Sequence, residues 1–278
     1  MGTPGSMRTY NLTGSFSESL RDFFRRGEMI GMLIVDDLRR QYTHSLLGSF
    51  WLLVKPLLLL GLYGVLFGMV FQSRSGPGQT SWEYLLVLLT GLLPWLIFAE
   101  AISSATSAIT ANVGLVTKIL FPIEILPVVK VLGTTASGLV GLLLLSIILV
   151  SMQYVGWALV LLPFLLAAQL AFMIGLAWTL SAINVAVRDT NQILPLALMV
   201  WMFLSPVVYT KEMVPQALAT VFSMNPMTYF LDGYRMILLS GQPPALSLWV
   251  IVLVVSAVTF LLGFGVFHRM RIIIADLV

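Results

Sequence analysis

Apolar residues along this chain come in long blocks that charges barely interrupt, and the polar residues gather between the blocks. A helix needs about 20 apolar residues to cross a hydrocarbon layer. Six blocks reach or approach that length: 49–71, 82–108, 128–153, 157–187, 193–209 and 248–267. The pattern predicts an all-α membrane protein of six transmembrane helices.

The segments between and before the blocks add three elements. Over 16–40, Phe23, Phe24, Met29, Ile30, Leu33 and Ile34 alternate with Arg21, Arg25, Arg26, Glu28, Asp36 and Asp37. That mixture predicts an N-terminal helix lying in the membrane interface, its apolar side in lipid and its arginines at the headgroups. The stretch from Asn112 to Pro127, with Lys118, Pro122 and Glu124, reads as a broken connector between spans two and three. After Tyr209, the residues Lys211, Glu212, Pro215, Asn225, Pro226, Asp232, Arg235, Pro243 and Pro244 are scattered among apolar ones. Such a segment is too polar to cross and too apolar for an exposed loop. It predicts short re-entrant outer helices between spans five and six, tolerable where the broken backbone is buried against protein or lines a cavity.

The domain organisation follows. Met1 to Ser6 read MGTPGS ahead of a second methionine, Met7, and resemble a cloning scar. Residues 7–48 are expected to form a cytoplasmic N-terminus with the interfacial helix, and 49–278 a six-span domain. No short basic stretch runs into an apolar core near the start, so no cleavable signal peptide is expected.

Composition agrees with this picture: 59% of residues are apolar, 10% are charged, and mean hydropathy is +0.98. The net charge of +3 comes from basic residues that border the spans. Placing the N-terminus in the cytoplasm puts Arg8, Arg21, Arg25, Arg26, Arg39, Arg40, Lys118, Lys130, Arg188, Arg269 and Arg271 inside, and only Arg74, Lys211 and Arg235 outside. Both termini are therefore expected in the cytoplasm. Membrane lipids are the partner this charge implies, and nucleic acid is not. There is no cysteine, which excludes disulfides and thiolate chemistry. His44 and His268 stand far apart with no ligand spacing, so neither a metal site nor a catalytic residue is expected.

Several short strings occur in order along the chain. They are Tyr42-x-x-Ser45-x-Leu47-Gly48-x-x-Trp51 followed by Pro56; Asn112-x-x-Leu115-Val116-x-Lys118-x-x-Phe121-Pro122-x-Glu124-x-Leu126-Pro127; and Val187-Arg188-Asp189. Ser205-Pro206-Val207-Val208-Tyr209, Asn225-Pro226, Tyr234-Arg235 and Ala275-Asp276 follow. Together, over 42–276, they resemble the permease subunits of ABC-2 type polysaccharide exporters, which export O-antigen, capsule and teichoic-acid chains. The connector string is nearest in form to the O-antigen permeases. One departure is Gln41, which precedes Tyr42 where the family pattern has an arginine; Arg40 is its neighbour.

The resemblance implies a homodimer with two copies of a separate ATPase, in the cytoplasmic (inner) membrane of a bacterium. It also implies a lipid-linked polysaccharide as cargo. ATP and magnesium would sit on the ATPase, because this chain has no G-x-x-x-x-G-K-[ST] loop to cradle phosphates. On this reading Asn112, Lys118, Phe121, Pro122 and Glu124 couple the chain to the ATPase, with Arg188 and Asp189 as a second contact. The plainer alternative is a membrane-surface turn with local capping. Phe67, Phe71, Trp95, Phe98, Trp178, Trp201 and Phe203 are candidates for sliding contact with sugar rings, set against ordinary bundle packing or interface belts. Tyr229, Asp232, Tyr234 and Arg235 are candidates for an outer gate, or for anchoring a helix pair. Arg21, Arg25 and Arg26 suit either a lipid-linked pyrophosphate or anionic lipid.

Other functions read less well. Glu100, a carboxylate inside a span, would suit a proton-coupled antiporter; beside Ser103, Ser104 and Thr106 it reads more simply as hydrogen-bonded or hydrated. A drug, a lipid or another small amphiphile is the alternative cargo. An integral-membrane enzyme would need a cluster of acids or histidines at one face, and only the adjacent Asp36 and Asp37 approach that.

Overall fold

Long runs of leucine, valine and alanine satisfy their backbone groups internally only as helices, and the prolines and polar turns between the runs decide where each helix stops. The computed structural model describes residue 21 and residues 25–42, 45–66, 81–114, 122–209 and 215–277. Among the described residues every regular element is helical. They are α1 (Gly27–Tyr42), α2 (Trp51–Val65), α3 (Ser81–Thr106), α4 (Ile125–Ser151), α5 (Leu162–Ala186), α6 (Thr190–Phe203), α7 (Ala219–Met224), α8 (Pro226–Leu238) and α9 (Leu246–Leu277).

Among the described residues, five helical stretches are long and apolar enough to cross a membrane: Gly48–Val65, Trp82–Thr106, Ile125–Ser151, Trp157–Ala186 and Leu246–Arg271. The block at 193–209, expected to be a crossing, is helical only to Phe203. Pro206 has no N–H to continue the ladder, and the chain turns over 204–209 instead, with the Tyr209 hydroxyl donating to the Phe203 carbonyl. α6 is therefore 14 residues long, about 21 Å at 1.5 Å per residue, against a hydrocarbon core of about 30 Å.

α3 is the central element. Of its most apolar stretch, 78% is buried inside the protein, and α4, α5, α6 and α8 pack around it. α5 and α9 form the most extensive helix pair. They touch backbone to backbone at Gly175 and Gly263, where a Cβ on either glycine would overlap a carbonyl of the facing helix. Small residues at a crossing give membrane helices the close approach on which their packing depends. α2 has no buried residue at all.

α1 departs from its expected surroundings. Met29, Ile30, Leu33 and Ile34, at helical spacing, pack against the protein core rather than projecting wholly into lipid. Asp37 lies on the same face and is ion-paired with Lys130 of α4. One charged pair thus anchors the interfacial helix to the start of α4, at the end of the bundle called here the α1 end.

Candidate functional site

At the end of the bundle opposite α1, four groups on α6, the turn after it and α8 are joined through Asn225. Its position ahead of Pro226 makes it the N-cap of α8, and its Oδ1 accepts from the Met227 N–H at 3.0 Å. The same oxygen accepts from Trp201 Nε1 at 2.9 Å. Nδ2 donates to the Leu204 carbonyl at 2.7 Å and to Ser205 Oγ at 2.8 Å. Ser205 in turn donates to the Trp201 carbonyl at 2.8 Å. The serine and asparagine of two separate strings, Ser205-Pro206 and Asn225-Pro226, therefore form one hydrogen-bonded knot that holds the end of α6 to the start of α8.

A second set of bonds draws α8 toward α3 and α5. Arg235 Nη2 donates to the Val207 carbonyl at 3.0 Å, and the Tyr84 hydroxyl donates to the Val208 carbonyl at 2.9 Å. The Tyr234 hydroxyl, fully buried, donates to Gln169 Oε1 at 2.6 Å, and Gln169 Nε2 donates to the Pro94 carbonyl at 3.2 Å. Pairing matters at this depth, because leaving a buried polar group unsatisfied costs about 1–3 kcal/mol. The Tyr229 hydroxyl donates to the Ser223 carbonyl at 2.7 Å and so ties α8 to α7, while Asp232 is half-buried.

Rings fill the space beneath this knot. Trp201 lies edge-on to Phe98 at 5.1 Å and to Trp95 at 6.3 Å, with Trp95 and Phe98 5.3 Å apart. The cluster continues through Phe172, 6.0 Å from Phe98, to Phe230, 5.5 Å further on. Three of the seven aromatic candidates, Trp95, Phe98 and Trp201, are thus brought together, and the first two are enclosed within the subunit. Trp178 lies elsewhere: it is fully buried, its indole N–H donates to the Glu124 carbonyl at 2.9 Å, and its ring meets Phe260 and Phe264 at 5.0 and 5.1 Å. Phe203 stands exposed on α6. Phe67 and Phe71 lie outside the described residues.

The coupling candidates gather at the α1 end, in different environments. Asn112 closes its own helix end by donating to the Ala108 carbonyl at 2.8 Å. Pro122 and Glu124 are buried, Glu124 to 7% exposure. Arg271 of α9 is only 5% exposed. Asn184 Nδ2 donates to Thr110 Oγ1 at 3.3 Å, joining the end of α5 to the connector. Arg188 and Asp189 are fully presented in the turn between α5 and α6. Lys118 and Phe121 lie outside the described residues.

Sequence reasoning passed over Gln169, Phe172, Phe230 and the burial of Arg271. Gln169 carried a usable signal, since an amide inside an apolar span requires a partner. The two phenylalanines carried none that separates them from lipid-facing rings. Among the described residues, no three histidines or carboxylates converge as metal ligands would.

These helices define a multi-pass α-helical membrane protein. The chain belongs to the ABC-2 type transporter family, whose profile matches residues 29–239, from α1 through the end of α8. That membership places it among transport permeases rather than enzymes. It is 27% identical to the O-antigen export system permease protein RfbA of Myxococcus xanthus over 255 residues, 91% of this chain and 96% of that protein. It is 25% identical to the O-antigen export system permease protein RfbA of Klebsiella pneumoniae, over 80% of this chain and 86% of that one. It is also 24% identical to the polysialic acid transport protein KpsM of Escherichia coli, over 75% and 80% respectively.

Proposed function

We propose that this chain is the transmembrane subunit of an ABC transporter that exports a lipid-linked, O-antigen-like polysaccharide across the cytoplasmic membrane of a bacterium. The observation that carries the reading is the end-to-end similarity to an O-antigen export permease, 96% of whose length is covered. The ordered strings that mark the resemblance agree with it, and two of them meet in the Asn225 knot.

In this reading the subunit works as a homodimer driven by two copies of a separate ATPase, with both termini in the cytoplasm. Two helices support a second copy: α2 has no buried residue, and α6 exposes Ile193, Leu196, Met199, Val200 and Phe203. α6 with the turn at 204–209 makes the fifth of six crossings, and α7 and α8 form the re-entrant pair. The burial of Met227, Phe230, Leu231, Tyr234, Ile237 and Leu238 suits a helix set into the bundle rather than resting on it. Arg188 and Asp189 touch the ATPase directly in this reading, which their exposure supports. Glu124 acts from inside, its backbone carbonyl accepting from Trp178 and so holding the connector to α5.

The test is deletion of the gene with analysis of the cell surface and of the cytoplasmic lipid-linked pool. Lipid-linked polymer should accumulate inside and surface glycan should fall, with both restored by the gene supplied in trans. Normal surface glycan in the deletion strain would overturn the polysaccharide reading and move the family's transport activity to a smaller amphiphile.

A further inference from the structure

The string Tyr42-x-x-Ser45-x-Leu47-Gly48-x-x-Trp51 with Pro56 is not used by the transport reading, yet it builds a pocket. Gly48 adopts φ +51°, a left-handed turn open to glycine, and this turn leads the chain from α1 into α2. Trp51 Nε1 donates to Ser45 Oγ at 2.8 Å and is fixed across that turn. The result is a cavity of about 240 Å³ between α2, α3 and α4, with Gln41 at its rim.

Its lining is chemically divided. Lys55 supplies a cation from α2 and Glu100 an anion from α3, while Leu59, Leu93 and Leu96 make an apolar wall. Lys55 is the fifth residue of α2, and Glu100 lies six residues before the end of α3. At 1.5 Å per residue, both charges sit about 6–9 Å inside the helix ends, at the same end of the bundle. Taking the helix ends at the membrane surface, that is the depth at which a leaflet passes from headgroups to acyl chains. Ionisable groups at membrane depth are costly unless something polar meets them.

We infer that this pocket binds the zwitterionic headgroup of a membrane phospholipid of the phosphatidylethanolamine kind. The phosphate faces the Lys55 ammonium and the Gln41 amide, the lipid's ammonium faces the Glu100 carboxylate, and the acyl chains run along the leucines. The paired signs are what select the ligand. A purely anionic headgroup would meet the repulsion of Glu100, and a purely cationic one that of Lys55. The site matters mechanically because α2 has no buried residue of its own, so an amphiphile wedged between it and α3 adds to its attachment. The inference is independent of the cargo.

The test uses the full-length chain purified in detergent with equal phosphatidylethanolamine and phosphatidylglycerol, retained lipid being counted by native mass spectrometry. The wild type should retain phosphatidylethanolamine about fivefold over phosphatidylglycerol, the scale an exposed ion pair supports. E100Q should bring that ratio near unity while total phospholipid stays, and K55Q should lower retention of both lipids. As a check on folding, melting without added lipid should be the same in all three proteins, and only the stabilisation by added phosphatidylethanolamine should shrink. A ratio unchanged by E100Q would overturn the inference. So would displacement of phosphatidylethanolamine by a polyprenyl phosphate that binds better to E100Q, which would assign the pocket to the phosphate end of a lipid-linked cargo.

Discussion

The two ends of this bundle are held by different physics. At the far end, mainly neutral groups do the joining: Asn225, Ser205, Trp201, Tyr234 and Gln169 bond to one another and to backbone carbonyls over a floor of rings, with Arg235 donating to the Val207 carbonyl beside them. At the α1 end an ion pair takes part: Asp37 pairs with Lys130, beside bonds from Trp178 to the Glu124 carbonyl and from Asn184 to Thr110. Short neutral hydrogen bonds are geometrically strict and insensitive to salt. Charge pairs tolerate movement and respond to ionic strength. On the proposed function, the first solution suits an outer end that keeps its shape and the second an inner end that follows the ATPase.

The contrast can be broken by substitution. The largest effect is expected from Asn225→Ala, which removes the side-chain partner of four groups at once. Net losses of about 1 kcal/mol per bond give about 3–4 kcal/mol, read as a large fall in melting temperature in detergent. Melting within a degree or two of wild type would show that the knot does not hold α6 to α8. Tyr234→Phe comes next, at about 1–2 kcal/mol, because it strips the buried Gln169 Oε1 of its donor. The double variant with Gln169→Leu should recover part of that loss, since no orphaned acceptor remains.

Charge substitutions at the α1 end are expected to do less to stability. Asp37→Asn should cost about 1 kcal/mol or less, the side chains of this pair being one quarter to under one third exposed, and the cost should shrink further in high salt. A loss that salt leaves unchanged would count against a mainly electrostatic anchor for α1. The smallest stability change, within about 0.5 kcal/mol, is expected from reversing Arg188 and Asp189, which are exposed. That reversal should nevertheless weaken co-purification of the ATPase and export. Intact co-purification and export would remove the turn between α5 and α6 from the coupling surface.

Much of the candidate site was written in the chain as residue types without partners. Asn225-Pro226 reads as a helix start from two adjacent residues, because a cap is a local device. That the same amide also reaches Leu204 and Ser205 could not be read, since those groups lie 21 and 20 residues away along the chain and meet it only once α6 and α8 are packed. Glu124 looked like a surface contact because charges in connectors usually are solvated; its burial accompanies packing against α5, where the Trp178 indole donates to its carbonyl. Trp95, Phe98, Trp178 and Trp201 were chosen by depth, and depth says nothing about which way a ring points.

The amino-acid sequence determined that the protein is helical and crosses a membrane, because hydropathy summed over some 20 residues is large and no tertiary contact offsets it. It also marked the helix ends, where proline, glycine and capping groups act within a few residues. Only the tertiary structure decided which helices are inside. α2 and α3 are both span-length and apolar, yet none of the first and 78% of the second is buried in protein. Lipid is as apolar as a protein core, so hydropathy cannot separate the two, and the choice falls to backbone approach at glycines and to hydrogen bonds between distant residues.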